Sequence, residues 1–192
     1  MVACGAAVLV PGGGAAVAGT PGRAALPGLP AAFAWFAPGP APTSFRYYHA
    51  VQNTVVVADP PKLKPLGGSD GSLSFAARGK GGAYFAFLDV TPQQGAESLT
   101  GWAAFRLALL RTDGATQIHE DAAANNLPFI GGTGACVIDD YVTQVGHKPF
   151  HEIACFVEGP HTGSVVVVAT PPKSWASYAV ALERVISVYR VT

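Results

Sequence analysis

Residues 135–156 read ACVIDDYVTQVGHKPFHEIACF. An Ala-Cys pair opens the stretch and another nearly closes it, with Val145-Gly146 midway between the cysteines. A hairpin turning at Val145-Gly146 sets Cys136 against Cys155, Ile138 against Ile153, Asp140 against His151 and Tyr141 against Phe150. Directly opposed β-carbons lie about 4.5–5.5 Å apart, close to the reach of a disulfide. The same register opposes Asp139 to Glu152, a like-charge pair that argues for a slipped register or a wet edge. Pro149 cannot donate to a ladder, so the turn is expected to run longer than two residues.

Three readings of the two cysteines follow: a disulfide between Cys136 and Cys155, two buried free thiols, or a reactive thiol served by His151. The register favours the disulfide, because a second cysteine directly opposite would quench a reactive thiol. A disulfide in turn implies an oxidising compartment. Zinc is not indicated, since no close Cys-x₂₋₄-Cys pair is present.

Outward from the hairpin, GSVVVVAT (163–170) carries four consecutive valines without alternation, as suits a central strand covered on both faces. FRYYHAVQNTVVVADPP (45–61) reads as two β-rich runs around Gln52-Asn53. SLSFAARGKGGAYFAFLDV (72–90) reads as Ser72–Arg78 pairing antiparallel with Ala83–Val90 across Gly79-Lys80-Gly81-Gly82. A mid-chain helix is expected over Leu99–Arg111, with Ser98 as N-cap and Asp113-Gly114 as stop. A second begins near Pro171-Pro172, capped by Thr170 or Ser174, and runs to the end of the chain. Trp175, Tyr178, Ala179, Leu182, Val185, Ile186 and Tyr189 fall at three-and-four spacing on one face, a core-facing stripe. Strand runs separated from two helices predict an α+β fold, a mostly antiparallel sheet of about six strands packed with two main helices.

The chain has 192 residues, enough for one domain with a tail. Charged residues are only 12% and the formal net charge is zero, so the basic excess of a nucleic-acid binder is missing. No apolar run reaches the length of a transmembrane helix. Composition shifts near residue 42. Ala, Gly and Pro fill 28 of the first 42 positions, where Arg23 is the only charge. Residues 1–42 therefore read as a flexible leader or tether, and 43–192 as the folded domain. The opening Met1-Val2-Ala3-Cys4-Gly5 resembles a bacterial lipobox, which would make Cys4 a lipidation site and membrane tether. No basic or strongly apolar stretch precedes it.

Motifs for chemistry are weak. Gly67-Gly68-Ser69-Asp70-Gly71 matches G-x-S-x-G in letters, but a strand-like run follows where a nucleophile elbow needs a helix. Gly131-Gly132-Thr133-Gly134 lacks the Lys-Ser/Thr ending of a phosphate loop. His119-Glu120-Asp121 and the group Asp139, Asp140, His151, Glu152 could bind a hard metal, yet neither has a recognised ligand spacing. They read as solvated strand ends, and neither metal nor cofactor is expected.

Taken in order, YYHAVQNTVVVADPP, SLTGWAAFRLALL, FIGGTGACVIDDYV and CFVEGPHTGSVVVVATPPKSWASYAVALERVISVYRV resemble the PsbP-like fold over roughly residues 43–192. That fold is shared by photosystem PsbP proteins, Mog-type Ran-binding proteins and LpqN-type actinobacterial lipoproteins. The resemblance implies a non-enzymatic α+β module, often outside the cytoplasm, that binds a partner protein or small ligand. It carries over no catalytic residue, and a Cys136–Cys155 pair is not general to it. The resulting expectation is an exported or lipid-tethered binding module of a bacterial cell envelope. The alternative is a serine or thiol hydrolase using Ser69 or a free cysteine with His151.

Overall fold

The computed structural model describes residues 26–69, 71–79, 82 and 84–192. Its centre is a seven-stranded, wholly antiparallel sheet. The strands are β3 (Lys64–Gly67), β4 (Leu73–Arg78), β5 (Tyr84–Pro92), β6 (Thr116–Phe129), β7 (Gly132–Val142), β8 (Pro149–Glu158) and β9 (Gly163–Thr170), in the spatial order β3-β4-β5-β9-β8-β7-β6. A smaller sheet, ordered β1-β2-β10, joins β1 (Arg46–Ala50), β2 (Val55–Asp59) and β10 (Arg190–Val191). The helices are α1 (Trp102–Thr112) and α2 (Pro172–Val188). This is the expected α+β architecture, with the expected single sheet divided into one of seven strands and one of three.

The valine-rich β9 is the middle strand of the seven, as its lack of alternation predicts. Its two faces feed two cores. Val166 and Val168 join the core under α2, while Val165 and Val167 pack with Trp102, Phe105 and Phe156 under α1. The Trp102 indole N–H donates to the Ala154 carbonyl at 2.8 Å and so fixes α1 to β8. On α2 the expected stripe delivers Leu182, Val185, Ile186 and Tyr189 to full burial. Trp175 and Tyr178 pack at its margin.

Several boundaries differ from the sequence reading. Helix α1 begins after Gly101, and no side chain among the described residues caps it; Leu99 lies in the preceding turn and Ser98 before that turn. Its buried face carries Trp102, Leu107 and Leu110, while Leu109 is exposed. Pro171 precedes α2 and again no side chain caps, because Thr170 is still paired as the last residue of β9. The chain leaves α2 at Tyr189, and β10 pairs with β2 instead of prolonging the helix. Of the edge strand β6 the sequence marks only His119-Glu120-Asp121, as a strand end, and its length was not expected. Its exposed, charged and Ala-Asn-rich sequence shows neither the apolar run nor the alternation of a half-buried strand, and it is bulged at three places.

The expected leader over residues 1–42 is corrected only over residues 26–42. Residues 1–25, including Cys4, lie outside the described residues. From Leu26 onward the segment packs on the domain, and Phe33 and Phe36 are fully buried. Phe36 meets the Phe129 ring edge-on at 5.0 Å between centroids. Arg184 of α2 donates to the carbonyls of Ala37 (2.9 Å) and Pro40, and the Ser187 hydroxyl accepts from the Ala37 N–H at 3.3 Å. Composition misleads here because two aromatic rings suffice to anchor a segment that is otherwise Ala, Gly and Pro.

Candidate functional site

The register of β7 on β8 is the expected one along its whole length, with Cys136 opposite Cys155 and Asp139 opposite Glu152. The connecting loop spans residues 143–148, longer than two residues; the Lys148 N–H donates to Thr143 Oγ1 and the Thr143 N–H to the Lys148 carbonyl. The sulfurs of Cys136 and Cys155 are bonded, with Cα atoms 4.1 Å apart, and both residues are buried in the core beneath α2.

Asp139 and Glu152 are fully buried rather than at a wet edge. The α1 face resolves their repulsion in two ways. Arg106 forks onto Glu152 with Nε–Oε1 2.6 Å and Nη2–Oε2 2.8 Å, and the Tyr141 hydroxyl donates to the same carboxylate at 3.1 Å. Burial opposes the charge on Arg106, but Glu152 overrides it and the net shift of its pKa is upward. Among the described residues, neither carboxylate oxygen of Asp139 has a hydrogen-bond partner. Burial first, then the neighbouring Glu152, push its pKa from 3.8 to about 8, with Arg106 pulling down and Asp140 and Asp121 pushing up. One acid is paired and the other keeps its proton, so no slip of register is needed.

This has a measurable consequence. Between pH 3.8 and about 8 the folded Asp139 holds a proton that the unfolded chain has lost. The folded state binds more protons across that window, so stability falls as pH rises, by up to about 1.4 kcal/mol per unit. Asparagine cannot ionise. Urea unfolding of the wild type from pH 5 to pH 8 should therefore lose about 2–4 kcal/mol, and Asp139→Asn distinctly less. Equal slopes in the two proteins would refute a protonated Asp139.

On the other face of the same strands, one rung brings His119, Asp140 and His151 side by side across β6, β7 and β8. His151 Nδ1 lies 2.8 Å from Asp140 Oδ1 and 3.7 Å from Asp121 Oδ2, and its ring meets the Trp175 ring at 4.3 Å. His119 Nε2 is 3.4 Å from Asp121 Oδ1. Glu183 on α2 belongs to the same neighbourhood: burial raises its pKa and His151 lowers it.

The hydrolase constellation is not assembled. Ser69 sits in the exposed turn between β3 and β4, whereas β5 and β9 intervene between β4 and the strand of His151. Three strand spacings of about 4.8 Å put the two far beyond hydrogen-bond reach. Asp70 of that motif lies outside the described residues. The turn is tight for a structural reason, since a Cβ on Gly68 would stand 1.9 Å from the Ser72 carbonyl oxygen. Both candidate thiols are consumed in the disulfide. The run Gly131-Gly132-Thr133-Gly134 is a close-packed hairpin corner, where Gly131 has φ +84° and its Cβ would meet the Val191 carbonyl at 2.0 Å.

What sequence reading missed is an open groove of about 550 Å³ at the end of the sheet where β5 and β8 begin and β9 hands over to α2. Tyr84, Phe85, Phe150, Pro149, Pro171 and Pro172 supply rings and apolar walls, and Lys148, Lys173 and Ser174 supply polarity. Both charged residues of the lining are cations. The available signal was a pair of lysine–proline contacts, Lys148-Pro149 and Pro172-Lys173, at two ends that only the sheet brings together.

No protein-family model matches the chain, and no curated protein matches it by sequence. Solved structures do resemble it. The solution structure of the cyanobacterial PsbP (CyanoP) of Synechocystis superposes with a TM-score of 0.54 at 12% identity, over 80% of this chain and 96% of that one. A protein of unknown function from Pseudomonas aeruginosa gives 0.47 at 14% identity, over 74% and 94% of the two chains. LpqN, involved in cell envelope biogenesis of Mycobacterium tuberculosis, gives 0.39 at 12% identity, over 80% and 81%. At these identities the likeness speaks to fold alone. The seven-stranded antiparallel sheet, its two covering helices and the near-complete coverage of CyanoP mean that this chain has the PsbP-like fold.

Proposed function

We propose that this domain is a non-catalytic binding module of a bacterial cell envelope, and that its groove takes a small molecule with an apolar body and an anionic group. The observation that carries the reading is the groove itself, with rings and prolines for walls and only lysines for charge. Apolar concavities with a few placed polar groups are the usual form of ligand sites. An anion at the mouth complements Lys148 and Lys173, and an apolar body covers Tyr84, Phe85 and Phe150. The Cys136–Cys155 disulfide supports an oxidising, extracytoplasmic home. Among the described residues no helix is long and apolar enough to cross a membrane. Lipid attachment at Cys4 would then supply the tether.

Laurate and its uncharged methyl ester separate the two halves of this reading. Titrated into the full chain, laurate should bind saturably at one site and the ester more weakly. Lys148→Gln with Lys173→Gln should weaken laurate roughly thirtyfold, as expected for two exposed ion pairs near 1 kcal/mol each. Ser174→Trp, which fills the groove, should abolish binding while the fold persists. Laurate binding that survives Ser174→Trp, or no binding at all, would sink the groove as a small-ligand site. Intact mass with and without reductant on exported protein checks the disulfide alongside.

A further inference from the structure

We propose that His119, Asp121, Asp140 and His151 form a binding site for a divalent transition-metal ion, zinc being the best match to the donors. The site is separate from the groove and does not depend on it. Two imidazoles and two carboxylates are a nitrogen–oxygen set suited to zinc and its neighbours, and they neutralise a dication when both rings are uncharged.

The geometry is close to what such an ion needs. Asp121, Asp140 and His151 each offer a ligand atom, and these atoms all lie within 4.8 Å of one another. Zinc bonds of about 2.0–2.1 Å place tetrahedral donors roughly 3.4 Å apart. The separations of 2.8, 3.4 and 3.7 Å among the four side chains straddle that value. Three of the four donors are thus already gathered. His119 is the most exposed of the four, so its ring can turn inward as the fourth ligand and the site is open for entry.

The strands position this set deliberately. His119, Asp140 and His151 share a rung, so three adjacent strands present them to one face. The register of β6 shifts between Glu120 and Ala122, and the extra residue of that bulge is Asp121. Without the bulge, alternation would send either Asp121 or Ala122 to the opposite face. With it, Asp121 reaches His119 and His151 while Ala122 still packs on the core beneath α2. Bulges re-aim side chains in this way beside functional sites. The Trp175 ring, edge-on at 4.3 Å, holds the His151 imidazole in place.

Charge points in the same direction. Asp121 and Asp140 both approach Nδ1 of His151, at 3.7 and 2.8 Å. Arg106 is committed to Glu152 on the opposite face. The two carboxylates beside two neutral imidazoles carry a charge that one dication balances.

The test is calorimetric titration of Zn²⁺ into the chelator-treated full chain at neutral pH, with the melting temperature followed alongside. One equivalent should bind and raise the melting temperature, and a chelator should reverse both. Asp140→Asn and His151→Ala should each weaken binding by at least about 100-fold, more than loss of an outer-shell partner costs. His119→Gln should weaken it about tenfold. Asp121→Asn, at an exposed position, keeps the test usable if a core-facing variant unfolds. His49→Gln and His161→Gln should change nothing. Absence of zinc binding by the folded chain, binding that survives Asp121→Asn with Asp140→Asn, or binding that follows His161 would each overturn the site.

Discussion

Arg106→Met is expected to destabilise the protein by about 3–5 kcal/mol, the usual cost of stranding one member of a buried ion pair. Arg106 forks onto Glu152 through two nitrogens, the Glu152 side chain is 1% exposed, and Asp139 is opposite it in the ladder. Removing the guanidinium leaves two buried acids competing for one proton-poor pocket. Folding must then desolvate a carboxylate that has lost its cation. The companion variant decides whether the interaction, rather than the bulk of arginine, is responsible. In Arg106→Met with Glu152→Gln, no charge is stranded and Tyr141 can still donate to the amide oxygen. Most of the loss should return, giving a coupling energy well above the roughly 0.5 kcal/mol of independent sites. Denaturant unfolding of the four proteins of the cycle measures it, and additive single effects would count against this account.

The segment before residue 43 makes the second large prediction. Phe33→Ala and Phe36→Ala should each cost about 3–5 kcal/mol, as fully buried rings do when the cavity collapses only in part. Both rings are fully buried, and Phe36 rests on Phe129, which itself packs against Tyr189. A chain beginning at Thr43 lacks both rings and also the Ala37 and Pro40 carbonyls that receive Arg184. Its unfolding midpoint should fall far below that of the full chain. An unchanged midpoint would mean that the segment adds no stability and that composition alone had judged it correctly.

Part of this protein was legible in sequence because the signal was local and periodic. The β7–β8 register follows from a period of two running into a short loop, and it located the rung of Asp140 and His151 as well as the paired cysteines. Four valines without alternation placed β9 at the centre, and the three-and-four spacing of α2 gave its buried face. Each depends on residues within one element or one hairpin, where geometry leaves few choices.

The tertiary structure decided the rest, and the reason is distance along the chain. Arg106 meets Glu152 across 46 residues, and Ala37 meets Ser187 across 150. No pattern in either neighbourhood announces its partner. The protonation of Asp139 depends on burial that α1 completes. The groove depends on three element ends that converge only when β9 inserts between β5 and β8. The bulge at Asp121 lies where the sequence shows only a strand end and no alternation, so the meeting of His119 and Asp121 with His151 had no spacing to betray it. Local periodicity determined which residues face inward. Only the folded sheet determined which of them face one another.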